Sequence, residues 1–201
     1  MRARRDRLAP RPQLLTYPDS LDRDLGGLRR LLEGPLAGLF HGIHVLPPFP
    51  SSADRGFAPL TYREVDARFG SWDDIRQIGE RHDVLLDLMI NHLSRQSAEF
   101  TDFERRGRKS DFADLFITLE KVWPDGEPPA TDIAKIFLRK PESPFSSITI
   151  ADTGEAERVW TSFGTASWSE QIDLDVTSSA GQAFSAGSTN GAYGSSQPWW
   201  L

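Results

Sequence analysis

Short apolar runs alternate with amphipathic stretches through the first half of the chain. QLLTY (13–17) reads as a strand. In DLGGLRRLLEGPLAGLF (24–40), Leu25, Leu28, Leu31 and Leu32 recur at helical spacing, and GIHVLPPF (42–49) reads as a second strand. SWDDIRQIGERH (71–82) opens with a helix start signal, Ser71 ahead of Asp73 and Asp74, whose charges suit a helix N-terminus. VLLDLMI (84–90) follows as a third strand, predicted to be buried. Strand, helix, strand, helix, strand with apolar strands predicts an α/β fold on a parallel sheet, open or closed into a barrel.

After His92 the pattern changes. Residues 94–160 are polar and rich in Pro, Gly and aromatics (KVWPDGEPPATD, RKPESPFSS), too long a stretch for an ordinary loop, and are read as an inserted domain or lid on the end of the third strand. ERVWTSFG and SEQIDLDV regain apolar or alternating character, so 161–184 is expected to lead back to the sheet begun by 13–93. From 185 to 201, SAGSTNGAYGSSQPWWL has neither period and is not expected to pack.

A length of 201 residues suits one domain or part of a larger one. The net charge of -6, with Lys and Arg scattered except in the first dozen positions, gives no basic groove for nucleic acid. The absence of cysteine excludes disulfides, thiolate catalysis and thiolate zinc sites, and suits the cytoplasm. Residues 1–12 carry Arg2, Arg4, Arg5, Arg7 and Arg11 without an apolar segment behind them for a signal peptide or membrane span, and are expected to be a disordered basic arm.

Ligands of parallel sheets lie beyond the carboxyl ends of the strands, so the residues where apolar runs stop carry the candidate chemistry. In DLMINH, strand alternation would put Asp87, Met89 and Asn91 on one face with His92 closing the strand. A buried Asp must be paired, and a His at the exit can donate to a ligand hydroxyl. In LPPFPSSADRGFAPLTYREVDARFG, the loop behind Pro47, Pro48 and Pro50 offers Asp54, Gly56 and Phe57, then Tyr62 and Asp66. A carboxylate beside an aromatic is what a sugar subsite uses, the carboxylate taking hydroxyl protons and the ring covering an apolar face. In SFGTASWSEQIDLDV, Phe163 and Trp168 precede Gln171, Asp173 and Asp175, and two carboxylates two apart on a strand point the same way. Each stretch taken alone also fits a structural role.

Taken together the three stretches resemble one family. DLMINH is similar to the first motif of the α-amylase superfamily, glycoside hydrolase family 13: an Asp, three residues, then Asn-His after the third barrel strand. LLTYPDSL, GIHVLPPFPSSADRGFAPLTYREVDARFGSWDDI, DLFITLEKVWPDG, PFSSITI and VWTSFG with EQIDLDV resemble its sucrose phosphorylase group, and PPFPSSADRGFAPLTY looks most like the glucosylglycerate phosphorylases. The likeness runs from about Gln13 to Phe184. It implies the N-terminal part of a (β/α)8 TIM barrel with a small B domain after strand 3. The implied activity is reversible phosphorolysis of an α-glucoside of the sucrose, glucosylglycerate or glucosylglycerol type, by a retaining double displacement with inorganic phosphate as co-substrate, no cofactor and no metal. Carried over by motif, Asp54 and Phe57 would hold the glucosyl ring and His92 its hydroxyls. Asp87 would organise the barrel end with Asn91 beside it in the motif, and Gln171 would line the acceptor and phosphate side. Asp173 and Asp175 then supply walls rather than an acid/base pair, and the acceptor would depend partly on Arg139 and Lys140.

The chain departs from the family in one respect. Its nucleophile belongs to an Arg-x-Asp motif on the fourth strand and its acid/base is a Glu ending the fifth, but the Arg-x-Asp triplets here, Arg4 to Asp6 and Arg81 to Asp83, both precede the third strand. The change of composition at Ser185 therefore raises the expectation of a frameshift or early stop, leaving a fragment inactive on its own and prone to aggregate through open sheet edges.

Overall fold

The computed structural model of the chain describes residues 12–136, 144–161 and 170–192. The Arg-rich arm to residue 11, Arg139, Lys140, Phe163, Trp168 and the tail from 193 lie outside the described residues. Contacts divide the chain into two compact units, Met1–Pro48 with Glu64–Leu88 and Phe49–Arg63 with Met89–Leu201.

The first unit follows the predicted order: β1 Gln13–Thr16, α1 Leu25–Glu33, β2 Gly42–Val45, α2 Trp72–Gly79 and β3 Asp83–Leu86. The strands form a parallel sheet in the order β1-β2-β3, with Gln13 opposite Gly42 and Gly42 opposite Asp83. Helix α1 starts where Asp24 accepts a 2.7 Å hydrogen bond from the Gly27 amide, and α2 where the Ser71 amide donates to Asp74 at 2.9 Å. The helical spacing read from the leucines holds: Leu25, Leu28 and Leu32 are buried with Ile43, Val45, Val65, Ile75 and Ile78 in one core.

The third strand differs from expectation. It ends at Leu86, so Asp87 lies just past it, and residues 87–91 are not strand. In the parallel register Asp87 would face Leu46, and the next N–H the ladder needs from the β2 side is that of Pro47, which has none to give. Nor is β3 fully buried: all four residues are half-buried, because β3 is an edge of the sheet while the central β2 is the buried strand. Leu15 on the other edge strand is 60% exposed.

The second unit contains β4 His92–Ser94, α3 Ala98–Arg106, the short α4 Leu119–Val122 and α5 Ala130–Ile133, β5 Phe145–Thr149, β6 Ala156–Trp160, β7 Gln171–Asp173 and α6 Ser179–Ala192. Strands β5 and β6 form a hairpin. The stretch expected to rejoin the parallel sheet does something else: β7 pairs antiparallel with β4, His92 facing Asp173 and Ser94 facing Gln171. This ladder explains why the contact boundary falls at residue 88 rather than 93, since composition marks where polar residues begin and not what they pair with. Phe100, Phe103 and Phe116 are fully buried and pack edge to face or tilted, Phe116 lying 5.1 Å from Phe100 and 5.5 Å from Phe103 between ring centres.

The tail also differs. Helix α6 crosses the expected break at Ser185 and continues to Ala192. Its N-terminus is capped by Ser178, whose Oγ accepts from the Gly181 amide at 2.9 Å, and its Ala residues sustain a helix without an apolar stripe. No helix among the described residues is long and apolar enough to cross a membrane.

Candidate functional site

Asp54, Phe57, His92 and Gln171 come together within the second unit. The loop carrying the first two is stitched to itself and to β4. Ser51 Oγ donates within hydrogen-bond reach of the Ala53 and Ala58 carbonyls (2.7 and 2.8 Å), and the Ser94 amide donates to the Pro59 carbonyl (2.9 Å). Ser52 and Ser94 hydroxyls meet at 2.7 Å. Inside this frame Asp54 and Arg55 both take left-handed backbone, φ 55° and 49°, which costs a non-glycine residue roughly 1–2 kcal/mol. Such strain persists only where surrounding contacts fix it.

Those contacts come from the β4–β7 ladder. His92 Nε2 donates to the Phe57 carbonyl at 2.7 Å, and the Gln171 amide donates to the same carbonyl and to Asp54 Oδ2, both at 3.2 Å. His92 and Gln171 are buried, Phe57 is half-buried and Asp54 is exposed. An exposed carboxylate residue and a half-buried aromatic residue thus stand on one loop, the two residue types a sugar subsite uses. His92 opens β4 rather than closing β3, and its Nε2 meets the Phe57 carbonyl on the loop backbone. Gln171 faces Asp54 and the Phe57 carbonyl. Asn91 is exposed and contributes its carbonyl to the Leu174 amide at 2.8 Å.

Asp87 belongs to the first unit, where it meets a residue the sequence reading missed. His44 Nε2 donates to Asp87 Oδ1 at 3.1 Å, each side chain about a third exposed (29% and 31%). His44 lies on β2 opposite Leu85, two residues before Asp87. The signal was a lone His inside the apolar run GIHV. Tyr62 and Asp66 fall to structural roles: Tyr62 is buried with its hydroxyl on the Met89 carbonyl at 2.6 Å, and Asp66 is paired to Arg68 at 2.7 Å, which holds its carboxyl below the usual range. Asp173 is buried in β7. Asp175 binds the Thr177 and Ser178 amides at 3.1 and 3.2 Å and Lys121 at 3.4 Å, which leaves no acid/base pair with Asp173.

A cavity of about 520 Å³ in the second unit is lined by none of these residues but by Arg106, Arg108, Lys109, Glu120, Glu155 and Glu157 among others. Arg108 there bridges Glu120 and Glu157 at 2.5 and 3.1 Å. Among the described residues no cluster of three His, Asp or Glu side chains is placed to hold a metal ion.

Burial lowers the pKa of His92, with the Phe57 carbonyl and the Asp173 and Asp54 charges opposing it, and burial likewise lowers that of His82 in the first unit. A histidine whose folded pKa is below its unfolded value of 6.5 binds fewer protons folded than unfolded, so stability is full above that pH and lost as pH falls below it. Urea midpoints are therefore expected to fall between pH 7.5 and 5.5. His92→Gln keeps an uncharged donor to Phe57 and should reduce the drop; an identical drop in the variant would assign the effect elsewhere.

No family model matches the chain. Over 166 residues it is 56% identical to the sucrose 6(F)-phosphate phosphorylase of Thermoanaerobacterium thermosaccharolyticum, a match that takes in 83% of this chain and 34% of that protein. The glucosylglycerate phosphorylase of Spirochaeta thermophila is 33% identical over 170 residues, 81% of this chain and 26% of that one. Across the chain as a whole, identity to this glucosylglycerate phosphorylase is lower than to the sucrose 6(F)-phosphate phosphorylase. The crystal structure of sucrose 6F-phosphate phosphorylase from Thermoanaerobacter thermosaccharolyticum matches with a TM-score of 0.87 and 51% identity, over 92% of this chain and 37% of that one. The chain spans about a third of the length of the curated relative it matches at 56% identity. Identity at this level, with the fold matched across both units' residues, establishes that the chain belongs to the sucrose phosphorylase group of glycoside hydrolase family 13 and corresponds to the N-terminal part of its (β/α)8 TIM barrel.

Proposed function

We propose that this stretch supplies the glucosyl donor side of an α-glucoside phosphorylase acting on sucrose or a phosphorylated sucrose. The observation that carries the reading is the 56% identity over 166 residues to a sucrose 6(F)-phosphate phosphorylase. In the proposed reaction a carboxylate attacks the anomeric carbon as the leaving oxygen takes a proton from a second carboxyl group, and a phosphate oxygen then displaces the enzyme carboxylate with a second inversion. The product is α-glucose 1-phosphate. Neither reacting carboxylate has its motif within these 201 residues. Inorganic phosphate is the co-substrate, and the chemistry calls for no cofactor or metal.

Within this division of labour, Asp54 accepts hydrogen bonds from glucosyl hydroxyls and Phe57 covers an apolar face of the ring. His92 acts through the Phe57 carbonyl, fixing the loop that carries both. Asp87, held by His44, keeps its orientation as an acceptor at the carboxyl end of the sheet.

The test joins residues 1–184 to the remaining two-thirds of the Thermoanaerobacterium relative and assays glucose 1-phosphate formed from sucrose or sucrose 6F-phosphate and phosphate. Asp54→Asn in that fusion removes a charged acceptor and is expected to lower kcat/KM about 100-fold, or ~2.7 kcal/mol, within the range for a hydrogen bond to a charged group. Phosphorolysis with Asp54→Asn unimpaired would remove Asp54 from the donor side.

A further inference from the structure

We infer that Gln171 is a positioning residue for the Asp54 carboxylate, an inference that rests on the donor-side role of Asp54 proposed above. Three observations lead to it. Asp54 and Arg55 are consecutive left-handed residues on an exposed turn, a conformation that such residues do not hold unaided. The side chain that reaches Asp54 comes from 117 residues away and is only 6% exposed, on a strand laddered to β4. Its one NH2 group spans two acceptors, Asp54 Oδ2 and the Phe57 carbonyl, each at 3.2 Å.

The choice of residue follows from the chemistry. An amide offers two N–H donors and no charge, so it orients one carboxylate oxygen without neutralising the group. Lysine or arginine at this position would pair with Asp54 and weaken it as an acceptor for sugar hydroxyls. By bridging the carboxylate and the Phe57 backbone, Gln171 also sets the spacing between the two donor-side residues. Its role is therefore orientation of the glucosyl-binding carboxylate, in place of the acceptor and phosphate side that motif likeness assigns it.

A polarity swap tests this. In Gln171→Glu two carboxylates face one another and the donor to the Phe57 carbonyl is lost; in Asp54→Asn/Gln171→Glu the amide and carboxylate have exchanged ends, so the bond between 54 and 171 can re-form while the one to the Phe57 carbonyl cannot. Amide hydrogen exchange on the 201-residue chain follows the Phe57 and Ala58 amides, bonded in the parent to the Asp54 carbonyl (3.0 Å) and Ser51 Oγ (3.2 Å). Exchange in Gln171→Glu is expected to be about tenfold faster than in the parent, and in the double variant to recover in part, to about threefold, because the bond to the Phe57 carbonyl stays lost. In the fusion protein the double variant should remain about 100-fold impaired in kcat/KM, because its carboxylate now stands on β7. Unchanged exchange in Gln171→Glu, or a double variant exchanging as fast as the single one, overturns the contact. Full recovery of activity in the double variant reduces Gln171 to a structural tie. If the parent fusion forms no glucose 1-phosphate, the donor-side reading falls, while the exchange cycle still decides whether Gln171 fixes Asp54.

Discussion

Replacing Phe116 by alanine is expected to cost the second unit about 3–5 kcal/mol, a large share of the ~5–15 kcal/mol that stabilises a typical domain. Phe116 is fully buried, and its ring is shared by Phe100 and Phe103 at 5.1 and 5.5 Å, so one truncation removes both aromatic contacts and leaves a cavity between them. The position is also tied through the backbone. Phe116 bridges to Leu174 just past β7, and its carbonyl accepts from Lys121 Nζ at 3.1 Å. A shift of residue 116 therefore reaches the strand that carries Gln171. Phe116→Leu, which keeps most of the volume, should lose much less. Urea denaturation followed by Trp fluorescence measures both variants; equal and small losses would show that the aromatic cluster is loosely packed.

The second large effect is at Gly181. A Cβ built there would lie 2.0 Å from the Asp175 carbonyl oxygen and 2.8 Å from its carbon, both backbone atoms that no rotamer change can move aside. The first turn of α6 thus approaches the preceding chain as closely as a glycine allows. Asp175 is held from the other side by Lys121 and by the Thr177 and Ser178 amides, which restricts retreat. Gly181→Val is expected to displace the start of α6, at a cost of roughly 3 kcal/mol or more, in the upper range for overpacking. It should also weaken the contact of Phe184 with Tyr62, now 6.4 Å between ring centres. Circular dichroism and a melting curve check this: helix loss with a lower Tm is expected, and an unchanged Tm would mean that α6 does not seat on the 175–178 turn.

The elements legible in the sequence were those whose signal is local. Leu25, Leu28 and Leu32 announce α1 by spacing, and Ser71 with Asp74 announces α2 by a cap that forms within four residues. The end of β3 is not legible locally because its cause lies just past the neighbouring strand: Pro47 has no N–H to continue the ladder beyond Leu86. The β4–β7 pairing was invisible for a similar reason. Three residues on each side carry no period, and their partnership is made across nearly the whole second unit. SSAGQAF reads as the start of a helix, but the continuation of α6 past Ser185 is not legible because small residues carry it without an apolar stripe.

The candidate site shows the same division. Asp54, Phe57, His92 and Gln171 were each singled out from motifs, and the structure brings them into one hydrogen-bonded group. The side-chain directions within that group were not legible. That His92 and Gln171 converge on the Phe57 carbonyl depends on a left-handed turn at Asp54 and Arg55, which no local pattern demanded. His44 escaped notice because a single polar residue in an apolar strand has no partner until the parallel register places Asp87 within 3.1 Å.

The product formed from sucrose 6F-phosphate by the fusion protein, with and without phosphate and followed by phosphorus and proton NMR, separates phosphorolysis from hydrolysis. α-Glucose 1-phosphate is expected, formed in step with fructose 6-phosphate and dependent on phosphate. Free glucose released at a rate indifferent to phosphate, or the β anomer of the phosphate ester, would contradict retaining phosphorolysis.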